Sequence, residues 1–311
     1  LIDRLAGFLA SQSSRPVTPA EPPDTVRAAL NAGRSLPEDG ADPAALLQHA
    51  ANLLIEHSLF NGHPRFFGYI TSSAAPIGML ADLLAAAVNP NVGAWNLAPM
   101  ASEIELQAVR WLAEFIGYPS TCSGLLVSGG NMANFTCFFA ARAAQAGWNI
   151  REHGAAAGPR LLAYASTETH TWIQKAADLA GLGTSSVRFI PSTPSGQIDL
   201  DALALQHQHD LDQGFQPFLA VGSAGTVSTG AVDPLDALAD FCAARNLWFH
   251  VDGAYGAFAA AVPSAAPAFH GLHRADSVAM DPHKWLYAPL EAGCALVRHP
   301  TALRDAFLRA F

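Results

Sequence analysis

The spacing of hydrophobic positions changes once along the chain, near residue 123. Before that point the apolar residues repeat with helical spacing, interrupted by loops. Residues 1–98 read as an N-terminal helical segment. Asp42-Pro43 pairs a capping carboxylate with Pro at the first helical position, and the apolar periodicity behind it runs to about His57. Residues 60–75 are rich in Gly, Pro, Ser and aromatic side chains and predict a loop. Further helices are predicted over Pro76 to Val88 and Pro99 to Ile116. The second carries Ser102-Glu103-Ile104-Glu105, a cap with acidic residues, in its first turn.

From Ser123 short apolar runs alternate with helical stretches. Strands are predicted over Gly124–Ser128, Arg160–Ala165, Val187–Ile190, Pro217–Val221, Leu247–Val251, Ser277–Met280 and Cys294–Val297. Helices are predicted over Asn131–Ala146, Thr171–Gly181, Asp199–Asp212 and Pro234–Arg245, and again from Thr301 onward. Such alternation predicts an α/β fold whose mostly parallel sheet is covered by helices on both faces. Residues 99–311 form this large domain. His153 to Pro159 reads as a flexible loop, and no internal repeat is visible.

Composition narrows the function classes. The chain is 50% hydrophobic and 14% charged, which excludes intrinsic disorder. A formal net charge of −9 without a Lys/Arg cluster argues against nucleic acid as a partner. No uncharged apolar run is long enough for a membrane span; Tyr255 to Phe269, the longest candidate, contains Pro263 and Pro267. Cys122, Cys137, Cys242 and Cys294 form no C-x-x-C pair, so a reducing, cytoplasmic location is expected. No signal peptide is visible. The chain opens on Leu1 and ends inside a helical pattern, as expected for a piece of a longer protein. Of 17 basic residues only Lys175 and Lys284 are lysines.

Several familiar motifs are absent. Gly181-Leu182-Gly183 lacks a third glycine and follows a helix, so it is no dinucleotide fingerprint. Neither lysine sits in a P-loop, and H-E-x-x-H and G-x-S-x-G do not occur. His207 and His209, near Asp210 and Asp212, read as a solvated helix face rather than a metal site.

Chemistry gathers where the predicted strands end, which is where open α/β sheets bind ligands. Gly129-Gly130-Asn131 follows the first strand and opens a helix, a setting that suits either a plain turn or an anion cradle. Ser166 to His170 follows the second. Gly222 to Gly230, small and rich in hydroxyls, follows the fourth. His250-Val251-Asp252 puts a carboxylate at the end of an apolar strand, where it needs a partner. Asp281-Pro282-His283-Lys284-Trp285 puts a lysine in apolar surroundings, which lower an amine's pKa and favour imine formation. Together these parts suit pyridoxal phosphate.

The stretch from about residue 60 to 300 resembles the group II pyridoxal-phosphate-dependent amino-acid decarboxylases, the aromatic-L-amino-acid, glutamate and diaminobutyrate enzymes. The resemblance rests on His250-Val251-Asp252-Gly253-Ala254-Tyr255, Ala275-Asp276-Ser277 and Asp281-Pro282-His283-Lys284-Trp285, with Pro64-Arg65-Phe66-Phe67-Gly68-Tyr69 nearer the start. It implies the aspartate-aminotransferase-like architecture called fold type I. It also implies pyridoxal 5′-phosphate as cofactor, an L-amino acid as substrate, and a homodimer with shared active sites. Lys284 is then the Schiff-base lysine, Asp252 the partner of the ring nitrogen, and His170 the group stacked on the ring. Gly130, Asn131, Ser277 and His283 are expected on the phosphate. Ala254 packs beside the ring, Thr226 and Ser228 match the loop after the fourth strand, and Tyr69 lines the substrate pocket. Phe67, Tyr69 and Trp95 suit an aromatic substrate or plain packing. Asp281, an acid expected beside the phosphate, requires a protonated His283 or a carboxylate turned away.

The resemblance also implies a mobile loop and a small domain after the lysine segment, which this sequence stops short of. The expected reaction is decarboxylation to the amine. Aldehyde-forming oxidative decarboxylation, transamination, or an inactive cofactor-binding or dimer-forming fragment are the alternatives.

Overall fold

A computed structural model describes residues 1–308. Two compact units divide the chain, Leu1–Ala74 and Ala75–Phe311. The first holds α1 (Ile2–Ser11), α2 (Pro23–Leu30) and α3 (Pro43–Glu56). Asp42 caps α3 by accepting from Ala45 N at 2.8 Å, as the Asp-Pro pair predicts. Phe8 and Phe60 pack with ring centroids 5.2 Å apart, and Ala51 and Ile55 of α3 are buried.

The second unit begins with α4 (Pro76–Val88) and α5 (Pro99–Phe115). The division falls at 74/75, where the sequence expectation is 98/99. Residues ahead of α5 pack with the second unit: Ala75 N donates to Tyr287 O at 2.8 Å, and Gly78 of α4 lies against Pro289.

Seven strands follow: β1 (Ser123–Val127), β2 (Leu161–Ser166), β3 (Val187–Ile190), β4 (Gln216–Ser223), β5 (Trp248–Asp252), β6 (Ser277–Met280) and β7 (Gly293–Val297). Their order in the sheet is β1-β7-β6-β5-β4-β2-β3. β7 pairs antiparallel with both neighbours and every other pairing is parallel, so β1 to β6 all point one way. Between them lie α6 (Gly130–Gln145), α7 (Ile150–His153), α8 (Trp172–Leu179), α9 (Leu200–Asp212), α10 (Leu235–Arg245) and α11 (Pro282–Trp285), with α12 (Ala302–Phe307) last.

Strand residues alternate between two apolar layers, as a sheet buried on both faces requires. Val278 and Met280 of β6 and Cys294 and Leu296 of β7 face a core with α5, α9 and α10. Ala279, Ala295 and Val297 face the other core, with α6, α8 and α12. Small residues on that second face let α6 lie close across the middle of the sheet. His207 departs from the expected solvated face: it is buried, its ring 6.0 Å from Tyr164 and 5.8 Å from Phe241. No group of His, Cys, Asp or Glu suited to a metal occurs among the described residues.

Candidate active site

Because β1 to β6 run in one direction, their C-terminal ends share one edge of the sheet. Ser128-Gly129-Gly130, Thr167 to His170, Ala224 to Gly230, Gly253-Ala254 and Asp281 to Lys284 all leave the sheet there. β7, running the other way, begins at that edge.

The β1–α6 turn is built for close backbone approach. Gly129 has φ +123°, a conformation that side chains rarely adopt. Gly293 at the start of β7 abuts it, and a Cβ there would lie 2.5 Å from the Gly129 carbonyl carbon. A Cβ on Gly130 would lie 2.6 Å from Asp281 Oδ2 and 3.1 Å from the Ala254 methyl. The amides at the start of the 16-residue α6 lack intrahelical acceptors, which makes this end an anion cradle.

Asp252 closes β5, and its carboxylate is held by uncharged donors. Trp172 Nε1 reaches Oδ2 at 2.7 Å, while Asn134 Nδ2 and Ala254 N reach Oδ1 at 3.3 and 3.2 Å. Among the described residues no Lys or Arg forms an ion pair with it. A buried anion ringed by neutral donors favours an incoming cation.

Lys284 sits on α11, half-buried, with Nζ 2.9 Å from Asp281 Oδ2. The Asp281 carboxylate, expected beside an anion, is thus paired with the lysine amine while its Oδ2 borders Gly130. Burial raises the Asp281 carboxyl above the ordinary carboxylate range, and the Lys284 charge pulls it back down. Asp281 Oδ1 is buried without a hydrogen-bond partner among the described residues, so a donor arriving at this corner finds an acceptor. His283 stands next to Asp281, Nε2 to Oδ2 3.8 Å, and its Nδ1 lies 2.8 Å from Ala292 O.

The remaining residues divide between this edge and elsewhere. His170 is exposed after β2, and its Nδ1 accepts from Trp172 N at 3.3 Å, two residues from a group touching Asp252. Asn131 is exposed in the first turn of α6. In the loop after β4, Thr226 is buried with its hydroxyl 2.8 Å from that of Thr229, and Ser228 is exposed. Tyr69 belongs to the first unit, where it is exposed and its ring stands 6.2 Å from Phe66. Trp95 Nε1 donates to Glu103 Oε1 at 2.9 Å.

Ser277 is a correction. It is fully buried within β6, and its hydroxyl accepts from Trp248 Nε1 at 2.8 Å and meets His250 Nδ1 at 2.8 Å. It opens β6 at the end away from the sheet edge that carries Asp281, enclosed by these core partners, so it does not reach a phosphate bound at that edge. Strand period 2 decides this: Ser277 shares its face with Ala279, beneath α6.

The cradle, the carboxylate awaiting a cation and the half-buried amine fit pyridoxal phosphate. Comparison with known proteins agrees. Residues 23–310 match the pyridoxal-dependent decarboxylase conserved domain. The chain belongs to the pyridoxal-dependent decarboxylase family. It is 33% identical over 306 residues to the aromatic-L-amino-acid decarboxylase of Bacillus atrophaeus, covering 98% of this chain and 62% of that protein. It is 31% identical to the acidic amino acid decarboxylase of Xenopus tropicalis, covering 95% and 57%. A crystal structure of Oryza sativa TDC with PLP and tryptamine superposes with a TM-score of 0.90 at 30% identity, covering 99% of this chain and 64% of that one. The chain thus spans about three fifths of the length of these decarboxylases.

Within this decarboxylase-family site the sequence reading missed Trp172, Asn134 and His250. Two of them carried a signal. His250 precedes Asp252 by two residues on a strand and so shares its face, and Asn134 follows Gly130 by one helical turn. Trp172 carried none.

Proposed function

We propose that this chain carries the cofactor-binding part of a pyridoxal 5′-phosphate-dependent L-amino-acid decarboxylase that yields an amine and carbon dioxide. The observation that carries the reading is Asp252, a buried carboxylate with only neutral donors among the described residues, on the same sheet edge as the Lys284 amine. When bound, the cofactor supplies an aldehyde for amines and a cationic ring that takes up the electron pair freed at Cα as carbon dioxide leaves.

The chain's residues prepare that chemistry. Lys284 provides the attachment amine. To attack a carbonyl the amine must be neutral, and Asp281 Oδ2 at 2.9 Å is the acceptor for its proton. Asp252 keeps a proton on the ring nitrogen by stabilising the cationic form. The backbone amides of Gly130 and Asn131 receive the phosphate, with His283 beside them. His170 would stack on the cofactor's ring and Ala254 would pack beside it. Thr226 and Ser228 stand in the β4 loop, and the family resemblance supports a substrate-side role for Tyr69; for the substrate we propose an L-amino acid with an aromatic side chain.

A homodimer is part of the proposal. Ile77, Leu80, Leu84 and Val88 stripe one face of α4, each more than half exposed, and Met100, Ile104 and Trp111 do the same on α5. No described helix is long and apolar enough to cross a membrane, and we propose the cytoplasm as location.

Supplying the protein with pyridoxal phosphate and a panel of L-amino acids tests the reading. Carbon dioxide and the matching amine in equal amounts are expected. An aldehyde with ammonia and peroxide, or a keto acid, assigns the site to the neighbouring reactions instead. Cofactor bound without turnover makes the chain a cofactor-holding module.

A further inference from the structure

Beneath Asp252 runs a line of buried polar side chains from three elements: Trp248 and His250 on β5, Ser277 on β6, and Asn134 on α6. Its hydrogen-bond direction is fixed from the Asn134 end. Trp248 Nε1 can only donate, so Ser277 Oγ accepts there and keeps its own proton available for His250 Nδ1, 2.8 Å away. His250 Nε2 lies 2.7 Å from Asn134 Oδ1, which can only accept, so the imidazole carries its proton on Nε2. The amide's other contacts set which atom faces it. Asn134 Nδ2 faces two groups that only accept, Gly130 O at 2.9 Å and Asp252 Oδ1 at 3.3 Å. A reversed amide would set oxygen against both.

We propose that His250 is a positioning residue for Asp252: as a neutral Nε2–H imidazole it locks the Asn134 amide with its N–H toward the carboxylate, while Trp248 and Ser277 lock His250. This rests on the reading of Asp252 as the partner of the cofactor's ring nitrogen. A second proton on His250 would reverse the Nδ1 contact, making Nδ1–H the donor to Ser277 Oγ and turning the Ser277 proton away from the line. Burial prevents this, holding the imidazole down at about 4 against the pull of the Asp252 charge. The groups facing His250 are Asp252 on its own strand, Ser277 of β6, Asn134 of α6 and the Trp172 ring of α8, edge-on at 5.5 Å; Cys137 of α6 adjoins Ser277. Among them Asp252 and Cys137 titrate, and burial lifts the Cys137 thiol to about 12.

Two measurements test this. Nitrogen NMR of histidine-labelled wild-type protein, with His250 assigned by its loss in His250→Gln, reads the tautomer without any cofactor. We expect neutral Nε2–H well below the ordinary value of 6.5. The Nδ1–H form, or protonation near 6.5, overturns the proposal. The second uses pyridoxal phosphate labelled at the ring nitrogen. His250→Phe and Asn134→Ala are expected to bind it roughly tenfold or more weakly, with the ring nitrogen losing its proton at lower pH than in wild type. An unchanged affinity and titration in both variants overturns the proposal. If either variant fails to fold, the wild-type tautomer decides. A wild-type protein that binds no cofactor sinks the reading of Asp252, and the tautomer still judges the line of hydrogen bonds by itself.

Discussion

Trp172 Nε1 donates to Asp252 Oδ2 across 2.7 Å, joining the first residue of α8 to the last residue of β5. The bond ties the helix that follows His170 to the carboxylate at the centre of the site. Trp172→Phe keeps an aromatic ring against Phe138 but removes the donor. A hydrogen bond to a charged group contributes about 1.5–3 kcal/mol. Urea unfolding of the variant is expected to show a loss of about that size, with weaker cofactor binding. An unchanged midpoint means Asp252 does not depend on this donor.

Acid sensitivity follows from His250. In the fold it gains its proton near 4, against 6.5 in an unfolded chain. Between those values the unfolded state binds more protons, so stability present above the upper value is lost as pH falls through the window. At about 1.4 kcal/mol per pH unit the loss approaches about 3 kcal/mol. Asp233, Asp276 and Asp281 run the other way, since burial raises each and stability is lost as pH rises through the carboxylate range. Comparing wild type with His250→Gln isolates the histidine. The variant's stability is expected to fall less steeply on acidification, and parallel curves would rule the effect out.

Gly130→Ala probes the cradle. The added methyl would sit 2.6 Å from Asp281 Oδ2, so the carboxylate has to turn and the Lys284 pair is disturbed. Cofactor binding is expected to weaken at least tenfold while the circular dichroism spectrum stays native. Equal affinity would place the phosphate away from this turn.

Much of this architecture was legible in the sequence, for identifiable reasons. The strands Val187–Ile190 and Ser277–Met280 match their predicted bounds, because short apolar runs between turn residues leave little room for another register. Lys284 and Asp252 stood out as charges in apolar settings. Ser277, which the family resemblance put on the phosphate, is turned inward by the strand period at the far end of β6. The partners of Asp252 were hidden for a related reason: Trp172 and Asn134 lie 80 and 118 residues away, joined only by the sheet order.

The central claim is that Lys284 is the amine that captures the cofactor. With only two lysines in the chain, the test is direct. The protein is incubated with pyridoxal phosphate, reduced with borohydride and digested, and the labelled peptide is found by mass spectrometry. The account requires the label on the peptide containing Lys284 and its loss in Lys284→Ala. A label on Lys175, or one that persists in Lys284→Ala, would contradict it.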